Sequence, residues 1–517
     1  MQQFLLLLAC STLVAMMTNS CGGDTDNDET PTATSNGPAL TPAVSLAAGP
    51  VFIGVDPVDT LTAIAVGDFN GDGEADLALG AAFADGVDNA QVDAGEVYVF
   101  LSVADTSGEI PGSRADLVMT GTQAGEQAGR SLATTDFNGD GTDDLVIGAP
   151  AADADTERSE SGLVYIIPGD PRFETRPREL DPPQEVTISG ADGGDYFGYS
   201  LAAGDFDGDG ADDLAVGAFL GDGPDDERDN GGEAYVFHGG GAPRSRDLGE
   251  GSGDTTIYGA DAGDHLGETV SAGDFDGDGR EDLVAVATFG DGPDNEPEAD
   301  VGEVYVLTGA LEGEIDLADG VPGVTVVGVD DGDQLGHSAA SLDFNGDGFA
   351  DLLLGAVSAD GVDNSADLAG EVALVMGTNS PPARIAVGDG DVPVLYGDAG
   401  GRLGRSVAAG DLDGDGYGDA LLAAPETKNA SGAVEAGAAF VIFGGPDAGF
   451  PQTVPGDSLA IYGRAAGNNL ATQVNGNPSM LLAELNGDGL DDVIISASRA
   501  SEKRGEVMVY YAEAMAE

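Results

Sequence analysis

Asp205-Phe206-Asp207-Gly208-Asp209-Gly210-Ala211-Asp212-Asp213-Leu214 runs straight into the apolar stretch Ala215-Val216-Gly217-Ala218. Close variants occur seven times, with first residues Asp68, Asp136, Asp205, Asp274, Asp343, Asp411 and Glu484. The intervals between them are 68, 69, 69, 69, 68 and 73 residues. Carboxylates on a glycine hinge form a cation site, and a near-constant period marks a repeat architecture.

The loop offers oxygens at positions one, three, five and nine, with glycine at four and six where a tight turn needs positive φ. These ligands are Asp68, Asn70, Asp72 and Asp76, then Asp136, Asn138, Asp140 and Asp144, then Asp205, Asp207, Asp209 and Asp213. The fourth and fifth copies supply Asp274, Asp276, Asp278 and Asp282, and Asp343, Asn345, Asp347 and Asp351. The sixth and seventh supply Asp411, Asp413, Asp415 and Asp419, and Glu484, Asn486, Asp488 and Asp492. Position seven is Glu74, Thr142, Ala211, Arg280, Phe349, Tyr417 or Leu490, side chains too dissimilar to share one role. That position is therefore expected to contribute its backbone carbonyl. Oxygen-only ligation with several carboxylates selects Ca²⁺, up to seven ions, over zinc, copper or Mg²⁺.

An EF-hand begins in the same way but needs an acidic twelfth residue and flanking helices. Position twelve here is Leu79, Ile147, Val216, Ala285, Leu354, Leu422 or Ile495. All are apolar and lie inside strand-like runs, which excludes the helical reading. In the third copy Thr187–Gly190, Phe197–Gly204, Leu214–Ala218 and Glu233–Phe237 read as four short strands, hence one antiparallel sheet per repeat. Seven such sheets set radially make an all-β, seven-bladed propeller, an arrangement that leaves only short protected edges.

Phe197-Gly198, the loop Asp205–Asp213 and Gly148-Ala149-Pro150 together resemble the FG-GAP repeat, the blade unit of the integrin α-subunit propeller. The resemblance covers residues 49–517. Its Phe-Gly pair becomes Leu266-Gly267, Leu335-Gly336, Leu403-Gly404 and, last, Leu470-Ala471. The resemblance implies metal hairpins on one face and partner-binding loops between second and third strands on the other. Those loops are near copies: Asp85-Gly86-Val87-Asp88-Asn89, Asp222-Gly223-Pro224-Asp225-Asp226, Asp291-Gly292-Pro293-Asp294-Asn295 and Asp360-Gly361-Val362-Asp363-Asn364. They suit either a cationic surface or a second cation shell, or are plain solvated turns. The last repeat stops after its third strand, and Pro50–Gly54 matches Thr187–Gly190, so the N-terminal segment is expected to complete the seventh blade.

Asp and Glu total 94 against 18 Lys and Arg, a net charge of −76. Seven divalent ions would offset only 14 of those charges. The chain offers no basic face to nucleic acid or to an anionic membrane. The only cysteines, Cys10 and Cys21, lie at the N-terminus, so disulfides do not hold the repeats together. Phe4–Met17 is a 14-residue apolar run, too short to span a bilayer and placed as in a secretory signal. Residues 1–20 are read as that signal. Cys21 resembles the lipidated cysteine of a bacterial lipoprotein, the alternative being an ordinary signal cleaved nearby. Residues 21–48 read as a tether.

His238, His265 and His337 share no repeat position and have no serine or cysteine motif beside them, so no catalytic residue is assigned. The expected protein is a monomeric, extracytoplasmic, calcium-stabilised surface module that binds a protein or glycan, a cationic one in particular. The alternatives are a hydrolase or lyase acting on polysaccharide or phospholipid in the propeller channel, and a structural envelope or matrix protein.

Overall fold

The ninth residue of every motif starts a six-residue strand: Asp76–Ala81, Asp144–Ala149, Asp213–Ala218, Asp282–Ala287, Asp351–Ala356, Asp419–Ala424 and Asp492–Ala497. Every residue of these strands is buried, on both faces. This explains runs such as Leu352-Leu353-Leu354 that do not alternate with polar residues: each sheet has another sheet stacked on either side. The computed structural model describes residues 44–517 except 57–59, 87–89, 105, 172, 174–176, 182–184, 252, 293–298, 329, 429–431, 434, 447, 455–458, 465–466, 468, 472–478, 501–503 and 515–517. The signal run and Cys21 lie outside the described residues.

Seven sheets form seven blades, numbered here by their motif. In blade 3 the inner strand Ser200–Gly204 pairs with Asp213–Ala218, then Glu233–Phe237, then the outer strand Thr255–Tyr258, all antiparallel. The repeat expected from sequence is offset by one strand. Val186–Ser189 does not open blade 3 but pairs antiparallel with Leu163–Ile167 as the outer strand of blade 2, Ile188 opposite Val164. The offset is what makes closure work. Val44–Ile53 is the outer strand of blade 7, antiparallel to Glu506–Ala514 with Val51 opposite Met508 and Phe52 opposite Val507. This strand begins at Val44, inside the stretch expected as tether.

Neighbouring blades are also stitched at the rim. Among the described residues, the segment after the third strand of blades 1 to 5 reaches back and adds a short parallel strand to the preceding blade. Glu109–Pro111 pairs with Val44–Ile53, Gly313–Asp316 with Thr255–Tyr258, and Arg384–Ala386 with Gly323–Val327. The motif's second residue, Phe69, Phe137, Phe206, Phe275, Phe344, Leu412 or Leu485, is at most 6% exposed. Each sits in the apolar cluster between its own blade and the next, one cluster for each of the seven blade interfaces. Phe52 closes the circle in the cluster between blades 7 and 1.

Candidate metal centres

The motif joins inner to second strand, so all seven loops lie at the same end of their blades. At positions four and six the glycines have φ of +67° to +79° and +85° to +90°. That backbone turns amide groups inward onto the first carboxylate. Asp205 Oδ1 accepts hydrogen bonds from the N–H groups of Gly208 (2.8 Å) and Asp209 (3.0 Å), and its Oδ2 from Gly210 (3.0 Å). Asp68, Asp136, Asp343 and Asp411 do the same in their loops, and Glu484 reaches the amides of Gly487 and Gly489 with its longer side chain. Position five is fixed in the same manner, Asp209 Oδ1 accepting from Ala211 at 2.9 Å.

Position nine is the buried ligand. Asp213 Oδ2 accepts from Phe206 (3.0 Å) and Asp207 (3.2 Å), and its Oδ1 from Gly239 (2.9 Å) beyond the third strand. Burial pushes Asp76, Asp282, Asp419 and Asp492 up to about 7 and Asp144, Asp213 and Asp351 up to about 6, with neighbouring loop carboxylates adding to the rise. A hard cation is what reverses that penalty.

The residues fit such an ion. In the fourth copy carboxylate oxygens of Asp274, Asp276 and Asp282 lie within 4.8 Å of one another, as do those of Asp411, Asp413 and Asp419, and of Asp205, Asp207 and Asp209. Asp274 Oδ1 and Asp282 Oδ1 are buried with no hydrogen-bond partner. In copies one, two and seven the asparagine at position three instead donates its amide to the ninth aspartate, at 3.0–3.5 Å. Sequence reasoning assigns His238 no catalytic role. Its Nδ1 stands 3.5 Å from Asp207 Oδ2, beside the third loop.

In five copies the position-seven side chain, Thr142, Arg280, Phe349, Tyr417 or Leu490, packs on the fourth-position glycine of the preceding loop: a Cβ on Gly277 would lie 2.4 Å from Phe349, and one on Gly346 would lie 2.0 Å from Tyr417. Position eight, which sequence reasoning passed over, links the loops as well. Asp143, Asp212, Glu281 and Asp491 accept the first-position N–H of the preceding loop at 2.7–3.0 Å, from Asp68, Asp136, Asp205 and Asp411. An acid at position eight in four copies was the available signal.

On the other face, the first aspartate of each Asp-Gly loop closes its own turn. Asp222 Oδ1 accepts from Asn230 (2.8 Å), Asp360 Oδ1 from Leu368 (2.9 Å), Asp291 Oδ1 from Ala299 (2.9 Å) and Asp85 Oδ1 from Asp93 (3.2 Å). Residues 87–89 and 293–298 of these loops lie outside the described residues. Nearby carboxyls are crowded: burial, then like charges, push Asp195 and Asp333 up to about 7 and Asp264 up to about 8. This face is strongly acidic. Among the described residues no helix is long and apolar enough to cross a membrane.

The FG-GAP repeat pattern matches six segments, residues 60–100, 128–167, 197–237, 266–307, 335–374 and 403–442. The chain is similar to phosphatidylinositol-glycan-specific phospholipase D of Mus musculus, 38% identical over 161 residues, 31% of this chain and 18% of that protein. It is similar to integrin alpha pat-2 of Caenorhabditis elegans, 30% identical over 258 residues, 47% of this chain and 19% of the relative. Integrin alpha-4 of Xenopus laevis is 28% identical over 240 residues, 46% of this chain and 20% of that one. The matched region is thus a fifth or less of each relative's length.

Proposed function

We propose that this chain, an FG-GAP-repeat propeller of integrin-α-like architecture, is a calcium-stapled binding module that works outside the cytoplasm and presents its acidic face to a protein or glycan. The observation that carries the reading is the loop set, seven preformed carboxylate nests on one end of a ring whose opposite end bears crowded acids. Calcium in each loop neutralises three or four carboxylates that otherwise repel, so ion binding and blade folding are coupled. A site half-filled at about 10⁻⁴ M in a medium ten times richer gains about 1.4 kcal/mol, or about 10 over seven independent sites. That equals a whole domain's stability, so the loops are assigned a structural role. The apolar run Phe4–Met17 and Cys21 support export and anchoring by lipid.

The test is a glycan and protein array with and without chelator, repeated on a protein whose loops 222–226 and 360–364 are replaced by Gly-Ser. Calcium-dependent binding lost in the loop variant supports the reading; binding that survives it removes the acidic face from the account. The similarity to the phospholipase keeps a second reading, hydrolysis of a polysaccharide or phospholipid in the channel, and turnover of such a substrate would favour it.

A further inference from the structure

The third residue of each blade's third strand packs in the apolar cluster between that blade and the preceding one. It is Tyr98, Tyr165, Tyr235 and Tyr305 in blades 1 to 4, Phe440 in blade 6 and Met508 in blade 7. In blade 5 it is Ala373. The four tyrosines also end on a carboxylate. Tyr98 donates to Glu96, Tyr235 to Glu233, Tyr305 to Glu303 at 2.6 Å and Tyr165 to Glu126 at 3.3 Å. Blade 5 keeps the acid, Glu371, two residues before Ala373, but has neither the ring nor its hydroxyl.

A cavity of about 740 Å³ opens there, between blades 4 and 5 and at the end away from the metal loops. Its volume lies within the ~300–1,000 Å³ range of ligand pockets. Glu371 pairs with Tyr396 and Ala373 with Val394, so these four line the cavity from one face of blade 5. Asp330 and Asp333 enter it from the turn after Gly323–Val327, the outer strand of blade 4. With Asp391 they make four acids in the lining, which holds no Lys, Arg or His. Burial, then Asp333 and Asp330, push Glu371 up to about 7, and burial, then Asp330 and Asp360, do the same to Asp333. Carboxyls crowded in this way are relieved by a cation and not by a neutral group. Val387, Val392 and Val394 give the cavity an aliphatic wall. A primary ammonium on an aliphatic stem matches both parts, with three donors for three acids and a stem for the valines. An amino sugar would bring hydroxyls that valine cannot pair.

We propose that this cavity receives a lysine side chain of a protein partner, its ammonium among Asp330, Asp333 and Glu371 and its stem against the valines. The proposal rests on the reading of this end as the binding face and adds the side chain that the face grips. Calcium-loaded protein is titrated with Nα-acetyl-lysine methylamide, with its Nε-acetylated form and with D-glucosamine, followed by saturation-transfer NMR. The lysine probe should bind saturably with about millimolar affinity, as befits so small a ligand, and the Nε-acetylated form should not bind. Glu371→Gln should weaken the lysine probe by about tenfold or more, the loss of a charge-assisted hydrogen bond. Ala373→Tyr gives blade 5 the residue of blades 1 to 4. It should abolish binding while raising the melting temperature, a combination that no folding defect imitates. The proposal is overturned if the lysine probe does not bind, if the Nε-acetylated form or glucosamine binds as well, or if both substitutions leave the affinity unmoved. It is overturned too if added calcium expels the probe, which would make the cavity a metal site. Array binding that is lost with the acidic loops but survives Ala373→Tyr would keep the binding face and remove this cavity from it.

Discussion

Removing Val44–Ile53 should open the ring. The strand contributes eight register partners along Glu506–Ala514, and Val44, Val51 and Phe52 are 1%, 7% and 0% exposed. Phe52 also packs against Phe100 of blade 1, ring centres 4.7 Å apart and planes tilted by 55°, so it joins the last blade to the first. Burial of three such side chains stabilises by about 5–9 kcal/mol in all. Roughly 470 residues give an unfolding entropy near 1 kcal/mol/K, so the truncated protein should melt about 5–9 °C lower, and Phe52→Ala alone about 3–5 °C lower. Scanning calorimetry in calcium measures both, and a synthetic peptide of residues 44–53 added to the truncated protein should restore most of the loss. A truncated protein that melts with the intact one, or that ignores the peptide, refutes the closure.

Gly346→Ala meets both a φ of +75° and Tyr417, whereas Gly348→Ala meets a φ of +89° and open space. Gly348→Ala should therefore cost about 1–3 kcal/mol of strain. Gly346→Ala should cost more by urea denaturation, and the excess should vanish in a Tyr417→Ala background. Asp143→Ala removes the acceptor of the Asp68 N–H at 2.7 Å and should weaken cation binding in the loop of blade 1, about 1.5–3 kcal/mol for a charged acceptor, read by calorimetry against an Asp140→Ala control that strikes the loop of blade 2. The ninth aspartates have folded pKa values raised to about 6–7, above the ordinary 3.8. Their contribution to the metal-free protein is present below pH 3.8 and lost as pH rises through 6 to 7. In chelator the protein should melt higher at pH 5 than at pH 8, and calcium should reverse that order; the same order with and without calcium would contradict the ligand assignment.

Much of this was legible because period and chemistry coincide. The spacing of Asp68 through Glu484 fixed the number of blades, and the apolar twelfth position placed each loop before a buried strand. The one-strand offset was not legible within a single repeat, since Thr187-Ile188-Ser189 reads as a strand whichever sheet takes it. Only the pairing of Ile188 with Val164 decides. The loop-to-loop contacts were hidden for a different reason. Asp143 and Asp68 are 75 residues apart, and nothing local to Asp143 distinguishes an acceptor for another blade from a solvated acid.

The central claim, that calcium in the motif loops holds the propeller together, is tested most directly by metal content. Protein dialysed to equilibrium against millimolar calcium, then analysed by inductively coupled plasma mass spectrometry alongside its melting curve in calcium and in chelator, should carry up to seven ions per chain and melt well below its loaded value once stripped. A chain that retains no calcium, or whose melting temperature is the same in calcium and in chelator, would contradict it.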